Sequence, residues 1–118
     1  MGKRYVGSLE LTRRGGRVVE VVDGEGRIRP LAPRNDLYNH SPDGFGWGYG
    51  GSGPAQLALD LAADVLGDDA RALRIYQVLK WDLVAGWPQD ESWQVTDTGL
   101  LSKIYQLELE REESARKT

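Results

Sequence analysis

The stretch DGFGWGYGGSGPAQLAL, residues 43–59, decides the fold because it joins an irregular loop to the most hydrophobic helical segment of the chain. Its glycines alternate with three aromatic residues, Phe45, Trp47 and Tyr49. In an extended segment these rings line one face and leave bare backbone on the other. Glycine in such a place indicates close approach by another backbone or by a ligand.

The helix that follows is predicted to begin at Pro54, because proline is favoured at the first helical position. Gly53 is then the N-cap, and the amides of Ala55 and Gln56 stay unpaired at the positive end of the helix dipole. Together with the loop amides they form a predicted cradle for an anion. The predicted ligand-binding residues are Asn39, His40, Trp47, Tyr49, Gly50, Gly51, Ser52, Gly53, Ala55 and Gln56. The alternative is that the glycines only let the aromatic rings pack and the chain turn into the helix.

The glycine spacing also matches two nucleotide-binding patterns, but neither has the required context. G-x-G-x-x-G occurs from Gly46 and again from Gly48. Residues 37–43 before it are predicted to form a loop, whereas a dinucleotide-binding motif follows a buried strand. The phosphate loop of nucleotide hydrolases is excluded, because Pro54 and Ala55 stand where Lys and Ser or Thr are required.

Toward the N-terminus the chain is predicted to form a small antiparallel meander. Residues 5–12, 17–22 and 27–31 carry the alternating or β-branched side chains that are typical of strands. Glycine-containing turns separate them, since glycine supplies the positive φ of tight hairpins. Residues 93–95 are a candidate fourth strand.

Toward the C-terminus the apolar spacing becomes helical, with three predicted segments. The first begins at residue 54, the second lies between residues 68 and 86, and the third begins at residues 96–98. Strands followed by helices predict an α+β fold, a small antiparallel sheet packed against about three helices. Residues 1–112 are predicted to form a single domain. Residues 113–118 are predicted to be a frayed tail, because no apolar face continues past Leu109.

The composition excludes several classes of function. The chain of 118 residues has no cysteine and one histidine, so no metal site and no cofactor is predicted. A net charge of −3 gives no support for general nucleic-acid binding, although arginines such as Arg13, Arg14 and Arg17 allow a local basic face. There is no signal peptide pattern and no run of about 18 apolar residues. The sequence therefore predicts a soluble cytoplasmic protein without a membrane partner.

A longer stretch around the glycines carries a resemblance. NHSPDGFGWGYGGSGPAQLAL, residues 39–59, resembles the signature of a family of small bacterial and bacteriophage proteins that is known only as a domain of unknown function. Flanking features agree with it: YVG at residues 5–7, RPL at residues 29–31, and Trp93. The resemblance implies a phage or mobile-element context and supplies no catalytic residues.

Individual polar residues give no strong indication of an enzyme. His40 is a weak candidate for a general base, with Asp43 to orient it, but a histidine in such a turn more often organises the loop. Ser52 lacks the sequence context of a nucleophile elbow. Asp60 and Asp64 lie one helical turn apart and are predicted to face solvent rather than a metal.

The sequence thus predicts a small non-enzymatic binding module for an anionic or nucleotide-like molecule, which by analogy suggests sequestration of a signalling nucleotide. The alternative is a protein–protein adaptor or inhibitor that uses Trp47, Tyr49 or Trp87 as exposed anchors. A minor alternative is an enzyme that uses His40. An exposed aromatic face favours the adaptor, and a closed pocket with converging amides favours the ligand site.

Overall fold

The computed structural model describes residues 2–117 and contains one four-stranded antiparallel sheet within that range. The strands are β1 (Arg4–Leu11), β2 (Arg17–Val22), β3 (Ile28–Pro30) and β4 (Trp93–Thr96), in the spatial order β3-β2-β1-β4. The predicted meander and the fourth strand are confirmed. β4 closes the sheet beside β1, where Tyr5 is opposite Val95 on one side and Val21 on the other.

Three helices complete the α+β fold, as predicted. They are α1 (Ser52–Leu66), α2 (Asp69–Asp82) and α3 (Asp97–Arg116), with a single 3-10 turn, Val84–Gly86, after α2. The inward side chains of the strands and the apolar stripes of the helices form one core. Its largest fully buried members include Tyr5, Val21, Leu57, Leu61, Ile75, Leu79, Leu100 and Ile104.

The start of α1 differs from the prediction. Gly51 is the N-cap, and the amide of Ala55 donates to the carbonyl of Gly51 at 3.2 Å. The prediction that Gly53 caps the helix and that Ala55 keeps an unpaired amide is therefore wrong. Pro54 occupies the third helical position, where its missing N–H has no intrahelical partner to lose.

The other helix ends follow local capping rules. The carboxylate of Asp68 accepts from the amide of Arg71 at 3.1 Å, and the hydroxyl of Thr96 accepts from the amide of Gly99 at 3.0 Å. α2 ends at Asp82, four residues before the predicted stop at Gly86, because the 3-10 turn intervenes. α3 runs to Arg116, so residues 113–116 are helical, with exposed side chains. Fraying of this segment stays a prediction, and Thr118 lies outside the described residues.

Candidate functional site

The bare faces of the glycine stretch are covered by aromatic rings of the chain itself. A Cβ added at Gly53 would lie 2.7 Å from the hydroxyl oxygen of Tyr49, and one at Gly51 would lie 2.5 Å from its ring. The Trp81 ring packs against Gly50 even more closely. The close approach that the glycines predicted is therefore made at these positions by side chains of this protein.

Trp47 belongs to the core and presents no surface to a ligand. It is fully buried, and its indole Nε1 donates to the carbonyl of Glu91 at 3.0 Å. Trp93 packs edge-on against it, with ring centroids 5.6 Å apart, and Trp87 stacks on Trp93 at 4.3 Å. The prediction that the Trp47 ring receives a ligand does not agree with this burial.

Gln56 uses its side chain to fasten the loop before the glycine stretch onto α1. It is fully buried, and its Oε1 accepts from the amide of His40 at 2.9 Å and from Asn35 Nδ2 at 3.1 Å. Its Nε2 donates to Asp60 at 3.2 Å. Asn39 joins the same network, because its Oδ1 accepts from Asn35 Nδ2 at 3.1 Å. Gln56 and Asn39 thus hold the loop in this structure.

The two carboxylates of α1 are engaged in tertiary contacts, so the prediction that they face solvent is wrong. Asp60 is 1 % exposed and both of its oxygens accept from the amide of Arg34, at 3.0 and 2.9 Å. Burial raises its pKa to about 6, against the opposing effect of the Arg34 and Gln56 hydrogen bonds.

Asp64 is half-buried and collects three donors from the sheet side. Its carboxylate accepts from Tyr5 Oη at 2.6 Å, Arg29 at 2.8 Å and Lys3 Nζ at 3.0 Å. Burial opposes ionisation, but the hydrogen bonds of these donors outweigh it and lower the pKa of Asp64. Asp64 is thus a structural ion-pair centre.

His40 pairs with a tyrosine instead of an acid. Its Nε2 lies 2.6 Å from the hydroxyl of Tyr76, and its ring stacks on Tyr38 with centroids 4.2 Å apart. Burial and then the charge of Lys80 lower the pKa of the imidazole, which favours its neutral form. Among residues 2–117, Asp43 makes no hydrogen bond to His40, so the predicted His–Asp pair is not formed in this structure.

A groove of about 460 Å³ lies between the β1–β2 turn and residues 42–45. Two backbone hydrogen bonds form its wall: Gly16 N–H donates to the Asp43 carbonyl and Arg17 N–H to the Phe45 carbonyl, both at 3.0 Å. Gly16 and Gly44 meet there without side chains; a Cβ on Gly16 would lie 2.7 Å from Gly44 Cα. The lining residues are Thr12, Arg13, Arg14, Arg17, Val18, Val19, Pro30, Leu31, Pro33, Asn35, Pro42, Asp43, Gly44 and Phe45.

The groove combines an apolar floor with cationic side chains at its rim. Val19, Leu31 and Phe45 are buried beneath it. Arg14 reaches across to the Pro42 carbonyl at 3.4 Å. Arg13 makes no hydrogen bond or ion pair within residues 2–117.

Two further charged residues in the lining refine this picture. The guanidinium of Arg17 turns to the Trp47 ring, 4.7 Å from its centroid, and bonds the Gln89 carbonyl. Asp43 supplies one carboxylate to the lining. Arg13 and Arg14 thus leave a net positive rim.

None of the ten predicted ligand-binding residues lines this groove. The sequence signal that points to it is the Arg13–Arg14 pair beside a Gly–Gly turn, together with the prolines at 30, 33 and 42. The described residues contain no group of three or more His, Cys, Asp or Glu side chains arranged for a metal. In the same range, the helices are too short or too polar to cross a membrane.

The chain belongs to the family described as Family of unknown function (DUF6166), whose model matches residues 2–106. This match covers every strand, α1, α2 and the first half of α3. No curated protein and no solved structure matches the chain. The resemblance to a family of unknown function is thereby confirmed, while a bacterial or phage origin stays a prediction.

Proposed function

We propose that the protein is a small non-enzymatic binding module that takes an anionic, ring-bearing molecule such as a nucleotide in the groove beside the β1–β2 turn. The observation that carries this proposal is the pairing of an apolar floor with two arginines at the rim of one concave site. The ligand chemistry is that expected from the sequence, but the proposed site is this groove and not the start of α1.

The size and lining of the groove support a small molecule. Its volume of about 460 Å³ falls within the roughly 300–1,000 Å³ that is usual for ligand sites. Val19, Leu31 and Phe45 offer the apolar contact that a ring needs. In a mainly apolar site, the few polar groups fix the orientation of the ligand.

The arginines support an anionic group on that molecule. A guanidinium presents a planar fork of donors that matches phosphate and carboxylate oxygens. Arg13 has no partner among residues 2–117, and Arg14 holds only a long bond to Pro42, which an anion can replace. Asp43 in the same lining disfavours an anion close to it, so the anionic group is expected at the Arg13 end.

A thermal-shift panel tests the proposal with purine and pyrimidine mononucleotides, dinucleotides and inorganic phosphate. A ligand at ~100 times its dissociation constant stabilises the protein by about 2.7 kcal/mol, which is several degrees for a domain of this size. Inorganic phosphate should give a smaller shift, because it makes no contact with the apolar floor.

Variants separate this groove from the start of α1. The double variant Arg13→Ala/Arg14→Ala should lose the nucleotide shift, and Arg74→Ala on α2, outside the groove lining, should keep it. A shift that survives in the double variant and disappears in Tyr49→Ala would place the ligand at the start of α1 and overturn the groove. A panel in which no nucleotide moves the transition would overturn the ligand proposal itself.

A further inference from the structure

Three exposed aromatic residues lie along the same part of the chain surface as Lys80, a nearly buried lysine at the end of α2. Tyr38 is 56 %, Tyr49 44 % and Trp81 63 % exposed, whereas Lys80 is 7 % exposed. Ring contacts and sequence neighbours link them. Tyr38 stacks on His40, Lys80 Nζ lies 4.3 Å from the centre of the Trp81 ring, and Trp81 packs on Gly50 next to Tyr49. Tyr38, His40, Tyr49, Lys80 and Trp81 are called the aromatic–lysine surface.

We infer that the aromatic–lysine surface docks an acidic segment of a protein partner. Exposed tryptophan and tyrosine side chains are the residues that most often anchor protein interfaces. Trp81 leaves most of its ring in water in the free protein, so a partner that covers it gains a large apolar contact.

The charge of the surface decides the chemistry of the partner. Within residues 2–117 no carboxylate forms an ion pair with Lys80; the nearby Asp82 pairs with Lys103 at 3.0 Å. The ammonium of Lys80 contacts the Trp81 ring, and this contact leaves its N–H donors available to a carboxylate. An acidic side chain of a partner supplies the missing counter-charge.

The start of α1 adds positive potential to the same place. α1 has no acidic residue in its first turn, so nothing there offsets the positive end of its dipole. The Trp81 ring packs on Gly50, one residue before the N-cap of α1, and the Tyr49 ring packs on Gly51 at the N-cap itself. After burial, the charge of Lys80 is also a cause of the lowered pKa of His40, so its field reaches the Tyr38 side of the surface.

The occupant is a protein segment rather than a nucleic acid, because a nucleic acid needs several cationic side chains along its backbone. The aromatic–lysine surface has one lysine, and the chain as a whole carries a net charge of −3. The ligand groove is a separate site, since none of the five residues lines it.

Selection from a random twelve-residue peptide library displayed on phage tests this inference directly. The library is panned on the wild-type chain after depletion on Trp81→Ala. Recovered peptides should be enriched in Asp and Glu and should bind Lys80→Met about ten-fold or more weakly, since loss of one partner of a desolvated charge pair is expensive. Lys103→Met is the matched control and should bind like wild type. Arg13→Ala/Arg14→Ala should also bind like wild type, which keeps this outcome independent of the groove.

The NMR signals of the single histidine report whether each variant is folded and whether a peptide binds near His40. The chain has one histidine, so its ring signals in NMR report His40 without ambiguity. A selected acidic peptide should shift these signals in wild type. Recovered peptides without an excess of acidic residues, or equal binding to Lys80→Met, would overturn the inference. So would a decauridylate RNA that moves the His40 signals when no peptide does.

Discussion

At the scale of single residues, two buried polar side chains on α1 explain how an irregular loop acquires a fixed shape. Gln56 accepts from Asn35 and from the amide of His40, and Asp60 accepts from the amide of Arg34. Loop amides that lie away from water need partners of this kind. The polar face that sequence periodicity assigns to solvent is therefore the face that binds the loop.

Asp60 should give the protein a distinctive pH dependence. Its pKa is raised from the ordinary 3.8 to about 6 by burial. The folded state thus binds a proton more tightly than the unfolded chain, so this group favours folding at low pH. Its contribution to stability falls as the pH rises from about 4 to above 6. At 1.36 kcal/mol per pKa unit, the loss is about 3 kcal/mol.

Comparison with Asp60→Asn isolates this effect from the other carboxylates. Asp64 and Glu108 have lowered pKa values and act in the opposite direction, but both proteins share them. The free energy of unfolding, measured by urea titration from pH 4 to pH 7, should fall in wild type relative to Asp60→Asn. A difference between the two proteins that stays constant with pH would contradict the raised pKa.

At the scale of elements, local pattern predicts the strands and helices, and tertiary contacts decide what it misses. Alternation and helical spacing were sufficient for the four strands and three helices. The predicted start of α1 is wrong, because the preference of proline for the first helical position is only a tendency. At the third position, where Pro54 lies, a backbone N–H has no partner within the helix either, so proline loses no hydrogen bond there. The sequence does not predict the groove, because its wall depends on a tertiary contact between Gly16 and Gly44, which are far apart in sequence.

Gly48 shows how a single glycine connects the loop to a distant segment. Its φ is +82°, and a Cβ added to it would lie 2.6 Å from Gln89 Cα. Gly15 has a similar φ of +96° but has nothing within 4 Å of the added Cβ. A side chain at either position would therefore be strained by the positive φ, but only at position 48 would it also collide with another part of the chain.

Alanine at these two positions separates strain from contact. Gly15→Ala should lower the free energy of unfolding by about 1–2 kcal/mol, the cost of a left-handed residue with a Cβ. Gly48→Ala should cost more, because a backbone atom of Gln89 has to move as well. Urea unfolding of both variants checks this order. Equal losses of unfolding free energy would mean that residues 88–90 move away from the new Cβ at no energetic cost.

At the scale of the whole molecule, the core extends past the part of the chain that the family model matches. The match ends at residue 106. The next residue, Leu107, is 2 % exposed, and Glu108 forms a two-pronged bond with Arg71 at 2.7 and 2.8 Å. Arg71 is on α2, so residues 107 and 108 attach the second half of α3 to the neighbouring helix.

Two truncations should therefore differ sharply in stability. Removal of residues 113–118 takes away exposed side chains of α3 and should change the free energy of unfolding by no more than about 0.5 kcal/mol, as ordinary surface changes do. Removal of residues 107–118 also deletes Leu107 and leaves a cavity, and loss of a buried leucine side chain costs about 2–5 kcal/mol. Urea unfolding of the two shortened chains beside the full-length protein measures both. A large loss from the shorter deletion would show that residues 113–118 stabilise α3, and a small loss from the longer one would show that α2 holds its place without Leu107.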